Sequence, residues 1–319
     1  MTAVKSSGGA WIGLLCNIWW NIWARECSKS RHIGSDRHVS KHVEEVERPE
    51  SQSGVEHAVV IPVLVRTNRS LTQFERAVQS VRRILKDDEV LIVVDDGSPT
   101  QFQKPIQASC SWPKIILLRH CPNVGPASAR NTAMDWCRAN RSEIKTVCFL
   151  DADCVVPDAN WCAAHRAQQK KLPGIACGRT ISLNPERWVS IYHDVFGTLN
   201  GRMLEDENNL LYGTTCNMSI HFDALPDGFR FDQLFATPAF EDVEFCVRAR
   251  KAGPTNSITF VSEAVVKHDY STDVLGLIEQ FWRYGQGHHR MLEVHPEYDT
   301  WLAVSSPMSN FSVKKKPSD

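Results

Sequence analysis

Thr146-Val147-Cys148-Phe149-Leu150-Asp151-Ala152-Asp153-Cys154 carries an apolar run straight into two carboxylates. Side chains alternate along an extended chain, so Asp151 and Asp153 leave the end of such a strand on the same side. Two hard oxygen ligands in that position suit Mg2+ or Mn2+, cations that retain coordination positions for phosphate oxygens. A simple turn is the alternative, since Asp is a common turn residue. The segments on either side decide how the pair is used.

Upstream, Ala58–Val65 and Glu89–Val94 are further apolar runs of strand composition, and Lys114–Leu118 is a third. Leu71–Leu85 carries apolar residues at helical spacing, and Ala127–Ala139 follows Asn123-Val124-Gly125-Pro126 as a second helix. Apolar strands alternating with helices predict an α/β fold, a mostly parallel sheet covered on both faces. Ligands of such sheets bind beyond the carboxyl ends of the strands. The second strand ends there in Asp95-Asp96-Gly97-Ser98, so two acidic pairs are expected in one crevice.

A nucleoside diphosphate suits these pieces. Asp95 can accept from a base N–H or a ribose hydroxyl, and Gly97 allows a sharp turn beside the ligand. Asn123, Gly125 and Arg130 offer donors, although Arg130 alone also fits an exposed helical arginine. A cation on Asp151 and Asp153 neutralises charge on a departing diphosphate.

In the second half, Leu210–Ile220 is expected to be one strand whose Gly213, Thr214 and Thr215 admit a polar ligand. Phe240–Ala249 opens a helix that Gly253-Pro254 closes. At about 100° per residue Asp242 falls with Phe245, Cys246 and Ala249 on the core side, whereas Glu241 and Glu244 fall with Arg248 and Lys251. An acid aimed inward from a first helical turn is the candidate general base. His268 follows the apolar strand Ile258–Val266 as a third metal ligand or a loop histidine. Gln280, Arg283 and Tyr284 share a helical face that Gly285 and Gly287 are expected to end.

The motifs Val93–Ser98 (VVDDGS), Asn123–Asn131 (NVGPASARN), Leu150–Asp153 (LDAD), Gly213–Ile220 (GTTCNMSI), Glu241-Asp242 and Gln280–Gly287 (QFWRYGQG) stand in an order that resembles family 2 glycosyltransferases of the GT-A fold. The resemblance runs from about Val59 to Gly287. It implies inverting transfer of a sugar from a nucleotide sugar, most often a UDP-sugar, to a hydroxyl of a glycan, lipid or other acceptor, with Mg2+ or Mn2+. By position it places Asp95, Asp96 and Arg130 with the nucleotide, Asp153 with the metal, and Asp242 as base; Pro62 and Asp151 are expected with the nucleotide as well, and His268 with the metal. Thr215, Asn217, Glu241, Gln280, Arg283 and Tyr284 fall on the acceptor and diphosphate side. Tyr284 stands where a QxxRW motif has Trp, and Val63–Asn68 departs from the family's usual first-strand turn. The early end of the chain after this motif is expected to go with single additions, or with a missing part of the acceptor region. Alternatives are a catalytically inactive nucleotide-sugar-binding scaffold and a sugar-phosphate nucleotidyltransferase; Pro62–Arg69 lacks the glycine-rich phosphate loop of the latter.

Charge is balanced, 36 basic against 37 acidic residues, which argues against a nucleic-acid partner. Eleven cysteines without a CxxC pair fit small core residues in a cytoplasmic protein. Residues 1–26 hold an apolar, Trp-rich stretch, Ala10–Ala24, short of the ~20 residues of a spanning helix. It fits a membrane-interface helix or anchor, which would make a membrane surface a partner, or a signal segment. Residues 27–56 are expected to be a charged linker, 57–290 the GT-A domain and 291–319 a tail.

Overall fold

The computed structural model describes residues 42–47, 54–204, 209–252, 257–270 and 273–298, and the apolar stretch at 10–24 lies outside them. The strands are β1 (His42–Glu47), β2 (His57–Val63), β3 (Glu89–Asp95), β4 (Ile115–Cys121), β5 (Thr146–Leu150), β6 (Cys154–Val155), β7 (Ile175–Ser182), β8 (Arg202–Met203), β9 (Asn209–Tyr212), β10 (Asn217–His221) and β11 (Ile258–His268). The helices are α1 (Asn68–Arg82), α2 (Thr100–Cys110), α3 (Pro126–Asn140), α4 (Asn160–Lys171), α5 (Trp188–Phe196), α6 (Glu241–Lys251) and α7 (Val274–Val294). One sheet runs in the order β1-β4-β3-β2-β5-β10-β7-β11-β9-β8, with β6 beside β11.

Strands β4, β3, β2 and β5 are mutually parallel, as are β7 and β11, while β10 runs antiparallel between β5 and β7. This is the expected α/β architecture, and alternation within the strands explains it. Ala58, Val60, Val90, Ile92 and Val94 enter one apolar cluster with Ala129, Met134 and Phe245. Val59, Ile61, Leu91 and Val93 enter the other, with Phe74, Ile106 and Trp161. Each strand is thus buried on both sides, which is why its sequence is apolar throughout.

Local chemistry sets the helix starts. The Thr67 hydroxyl accepts from Ser70 N–H while the Ser70 hydroxyl reciprocates, a capping box for α1. Gly125, at φ 95°, turns the chain into α3 with Pro126 in the first turn. A Cβ on Gly125 would lie 2.2 Å from the Ala236 carbonyl oxygen.

The fold differs from expectation in three elements. The charged segment read as linker contributes β1, antiparallel to β4 at the sheet edge, with Glu44 and Glu45 exposed and Val46 packed inward. Charged residues on an edge strand conceal its period and discourage further pairing. Leu210–Ile220 is two strands, β9 and β10, because Gly213–Cys216 turns between them. Helix α7 runs through Gly285 and Gly287 instead of ending there. Gly287 allows close approach: a Cβ would lie 2.8 Å from Ala239 O and 2.9 Å from Phe240 Cδ2.

Asn217 departs furthest from its expected place beside an acceptor. Its Oδ1 accepts from Trp161 Nε1 at 2.8 Å and lies 2.9 Å from His165 Nε2. Its Nδ2 donates to Arg179 O at 3.1 Å and Ala264 O at 2.7 Å. The amide is 1% exposed and fully used in tying β10 to α4 and to the β7–β11 pair. Gly178 makes room for it, since a Cβ there would stand 2.4 Å from Nδ2. Asn217→Ala orphans several buried polar groups at about 1–3 kcal/mol each. Urea unfolding is expected to show a loss of at least about 2 kcal/mol; an unchanged midpoint would remove Asn217 from the framework.

Candidate active site

The carboxyl end of β3 is built around saturated carboxylates. Asp95, wholly buried, accepts from Ser98 N–H at 3.0 Å and pairs with Arg119 Nε at 2.8 Å. Asp96 lies 2.6 Å from His120 Nδ1 and accepts from Val124 N–H at 3.1 Å, Asn123 Nδ2 at 2.6 Å and Gly125 N–H at 2.8 Å. A carboxylate offers about four acceptor positions, so Asp96 has none left for a ligand. The pair expected to touch a nucleotide is instead spent on shaping the β3 turn and the loop into α3. Pro62, half-buried on β2 opposite Val94, lines the same strand ends.

That loop delivers Arg130 to the centre of the molecule. Only 3% exposed, it donates through one amino group to Asp151 Oδ1 at 2.9 Å and through the other to Glu241 Oε1 at 2.7 Å. Burial alone would lower its pKa, but Asp151 and Glu241 outweigh that and hold the guanidinium above its ordinary value. Glu241, placed by the helical wheel towards the polar side, is 5% exposed because Arg130 compensates it. Glu244 is buried likewise, paired with Arg248 at 2.7 Å. A wheel cannot register partners brought by another part of the chain.

Asp151 is thus engaged by Arg130, while Asp153 meets a different partner. Its Oδ1 lies 3.3 Å from His268 Nε2, at the point where β6 pairs with the end of β11. Donor atoms of Asp153, Cys154 and His268 all fall within 4.8 Å of one another. Burial holds the Cys154 thiol well above its usual range, so it stays protonated and is a poor ligand for a hard cation. A carboxylate and an imidazole remain, a donor pair that could hold a divalent cation. His268 Nδ1, the ring nitrogen away from Asp153, is buried without a partner. The His268 ring stacks on Tyr270 at 4.3 Å, and Tyr270 on His193 at 4.0 Å. His268 is thus fixed in orientation.

Asp242 stands at the start of α6, after Phe240, the one non-glycine residue with positive φ (68°) among the described residues. Such strain persists where surrounding structure enforces it, and here Gly287 of α7 packs against Phe240. Asp242 is half-buried and accepts from Val243 N–H at 2.8 Å and Thr215 N–H at 3.3 Å. Burial raises its carboxyl pKa to about 7, the charge of Glu241 adds to the rise, and Arg130 opposes it. A carboxyl poised there can exchange a proton near neutrality.

Thr215 itself is buried and positions Asp242 through its backbone. On α7, Gln280 Nε2 donates to the Tyr284 hydroxyl at 2.7 Å and both side chains are half-buried, whereas Arg283 is exposed. The expected cluster therefore divides, with Gln280 and Tyr284 joined and Arg283 facing solvent. Sequence reasoning missed Asp269, where Arg69, Arg76 and Arg187 converge. The i, i+7 spacing of Arg69 and Arg76 on one helix face was the available signal.

The sequence pattern of glycosyl transferase family 2 matches residues 58–229. A pre-mycofactocin glycosyltransferase of Mycobacterium tuberculosis (strain CDC 1551 / Oshkosh) is 29% identical over 278 residues, 82% of this chain and 53% of its own length. The chain spans about half the length of that curated relative. Among solved structures, the mannosyltransferase PcManGT from Pyrobaculum calidifontis, in complex with GDP-Man and Mn2+, superposes with a TM-score of 0.52 at 15% identity, over 80% of this chain and 64% of that one. GalNAc-T7 with UDP, GalNAc and Mn2+ gives 0.50 at 16% identity, over 70% and 45%. These likenesses show a shared GT-A fold. With the family pattern spanning more than half of its length, the chain belongs to glycosyl transferase family 2.

Proposed function

We propose that this chain transfers a sugar from a nucleoside-diphosphate sugar to an acceptor hydroxyl, with inversion at the anomeric carbon and with the help of a divalent cation. The observation that carries the reading is the pairing of two chemistries in one linked set of residues. Asp153 and His268 form a donor set suited to Mn2+. Asp242, tied to Asp151 through Glu241 and Arg130, is poised near neutrality as a base. The Mn2+ complexes among proteins of similar fold support a metal-assisted reaction, and the curated relative supports glycosyl transfer.

In this mechanism Asp242 takes the acceptor proton as the hydroxyl oxygen attacks the anomeric carbon. The bond from that carbon to the diphosphate oxygen breaks, and the diphosphate leaves with the electron pair. A cation bound by Asp153 and His268 supplies charge neutralisation on the leaving group. Asp95 and Asp96 act by fixing the β3 turn that borders the nucleotide. Arg130 holds Asp151 and Glu241 in register and keeps Asp242 from rising further. Gln280 and Tyr284 line the acceptor side. A UDP-sugar is the donor class we favour, and the acceptor is a glycan, a lipid or another hydroxyl compound.

Replacing Asp242 by Asn keeps the shape and removes the base. Transfer measured with nucleotide sugar and acceptor is expected to fall by about 10²–10⁴-fold, with nucleoside-diphosphate affinity retained; near wild-type turnover would exclude Asp242 as the base. Only the ionised carboxylate accepts a proton, so kcat/KM should rise with pH through about 7, the value to which burial lifts Asp242. A profile flat from pH 5 to 8 would contradict this role.

A further inference from the structure

Asp269 follows His268 and is 7% exposed, yet it faces an excess of cations. Arg76 contacts its Oδ2, and Arg187 and Arg69 each lie 3.5 Å from its Oδ1. Gln73 Nε2 at 3.3 Å and Asn184 Nδ2 at 3.1 Å add neutral donors. Arg69 also donates to Tyr270 O at 2.9 Å. Elsewhere the balance can be the reverse: Arg130 serves two carboxylates and so does Arg166. Arg76 and Arg187 alone outnumber the one carboxylate they share.

The cluster is built from three separate elements: α1, the loop before α5 and the end of β11. It is open to solvent, with the Arg76 and Arg187 side chains 42% and 37% exposed. Arg76 Nε is nevertheless buried without a partner. It also adjoins the candidate metal ligands, because Asp269 N–H donates to Asp153 O at 2.9 Å. Guanidinium forks match phosphate oxygens in geometry and charge.

From this geometry we infer that Arg76 and Arg187, with Arg69 beside them, form a binding site for a phosphate group, held half-neutralised by Asp269. The site deepens the transferase reading, on which it rests only for the source of the phosphate: the donor's diphosphate, or a phosphate carried by the acceptor. Binding of inorganic phosphate to the full chain does not depend on transfer, so the two ideas can fail separately.

The test is calorimetric titration of inorganic phosphate into the full chain without metal, then with saturating UDP or GDP plus Mn2+. Arg76→Gln and Arg187→Gln are each expected to weaken phosphate binding about tenfold, the loss of one charge-assisted contact. Asp269→Asn should tighten it several-fold, a change that misfolding cannot imitate. Displacement of phosphate by the nucleotide assigns the site to the donor's diphosphate, and binding alongside it assigns the site to an acceptor phosphate. Absence of phosphate binding by folded wild-type protein, or equal affinity in all three variants, would overturn the inference.

Discussion

The buried guanidinium of Arg130 is the constraint on which the site depends. It bridges Asp151, at the end of a strand in the first half, to Glu241, 111 positions further along the chain than Arg130. Glu241 is buried and Asp151 half-buried, and two such carboxylates repel each other and resist desolvation. One fixed cation between them makes their burial tolerable and sets the distance between β5 and α6. Removing Arg130 would leave the buried Glu241 without its compensating charge. The sheet end and the first turn of α6 therefore hold a defined spacing, as a two-component reaction requires.

The same charges set the chemistry of Asp242. Burial and Glu241 push its carboxyl up, while Arg130 pulls it down. A change in the bridge is therefore felt at the base without direct contact. The left-handed Phe240 and the close approach permitted by Gly287 hold the start of α6, and with it Asp242, from the side of α7. On the opposite side Asp96, saturated by four donors, locks the β3 turn to the entry of α3, which is where Arg130 sits. Rigid packing behind the site and polar saturation beside it are one arrangement.

Much of this was legible in the sequence. Strands β2, β3 and β5 are apolar on both faces, and the acidic pairs at the ends of β3 and β5 mark the carboxyl edge. Asp153, His268 and Asp242, on which the proposed mechanism rests, are residues that the sequence singles out. What was hidden depends on partners distant in sequence. Glu241 and Glu244 look like solvent-facing residues until Arg130 and Arg248 are brought to them. Asp96 looks like a ligand contact until His120 and the α3 loop fill its lone pairs, and Asp95 until it is buried against Arg119. Asn217 looks like a polar lining residue until the β7–β11 register directs backbone carbonyls at it. Gly285 and Gly287 signal helix termination in isolation, whereas α7 runs through both and Gly287 packs closely on Ala239 and Phe240.

The central claim is that Asp153 and His268 hold a divalent cation that engages a nucleoside diphosphate. Its most direct test is calorimetry of UDP and of GDP with and without Mn2+, on the wild-type chain and on Asp153→Asn. Binding of one nucleotide that requires Mn2+ and is lost in Asp153→Asn is the result this account predicts. Equal affinity with and without Mn2+, or metal-dependent binding untouched by Asp153→Asn, would contradict it.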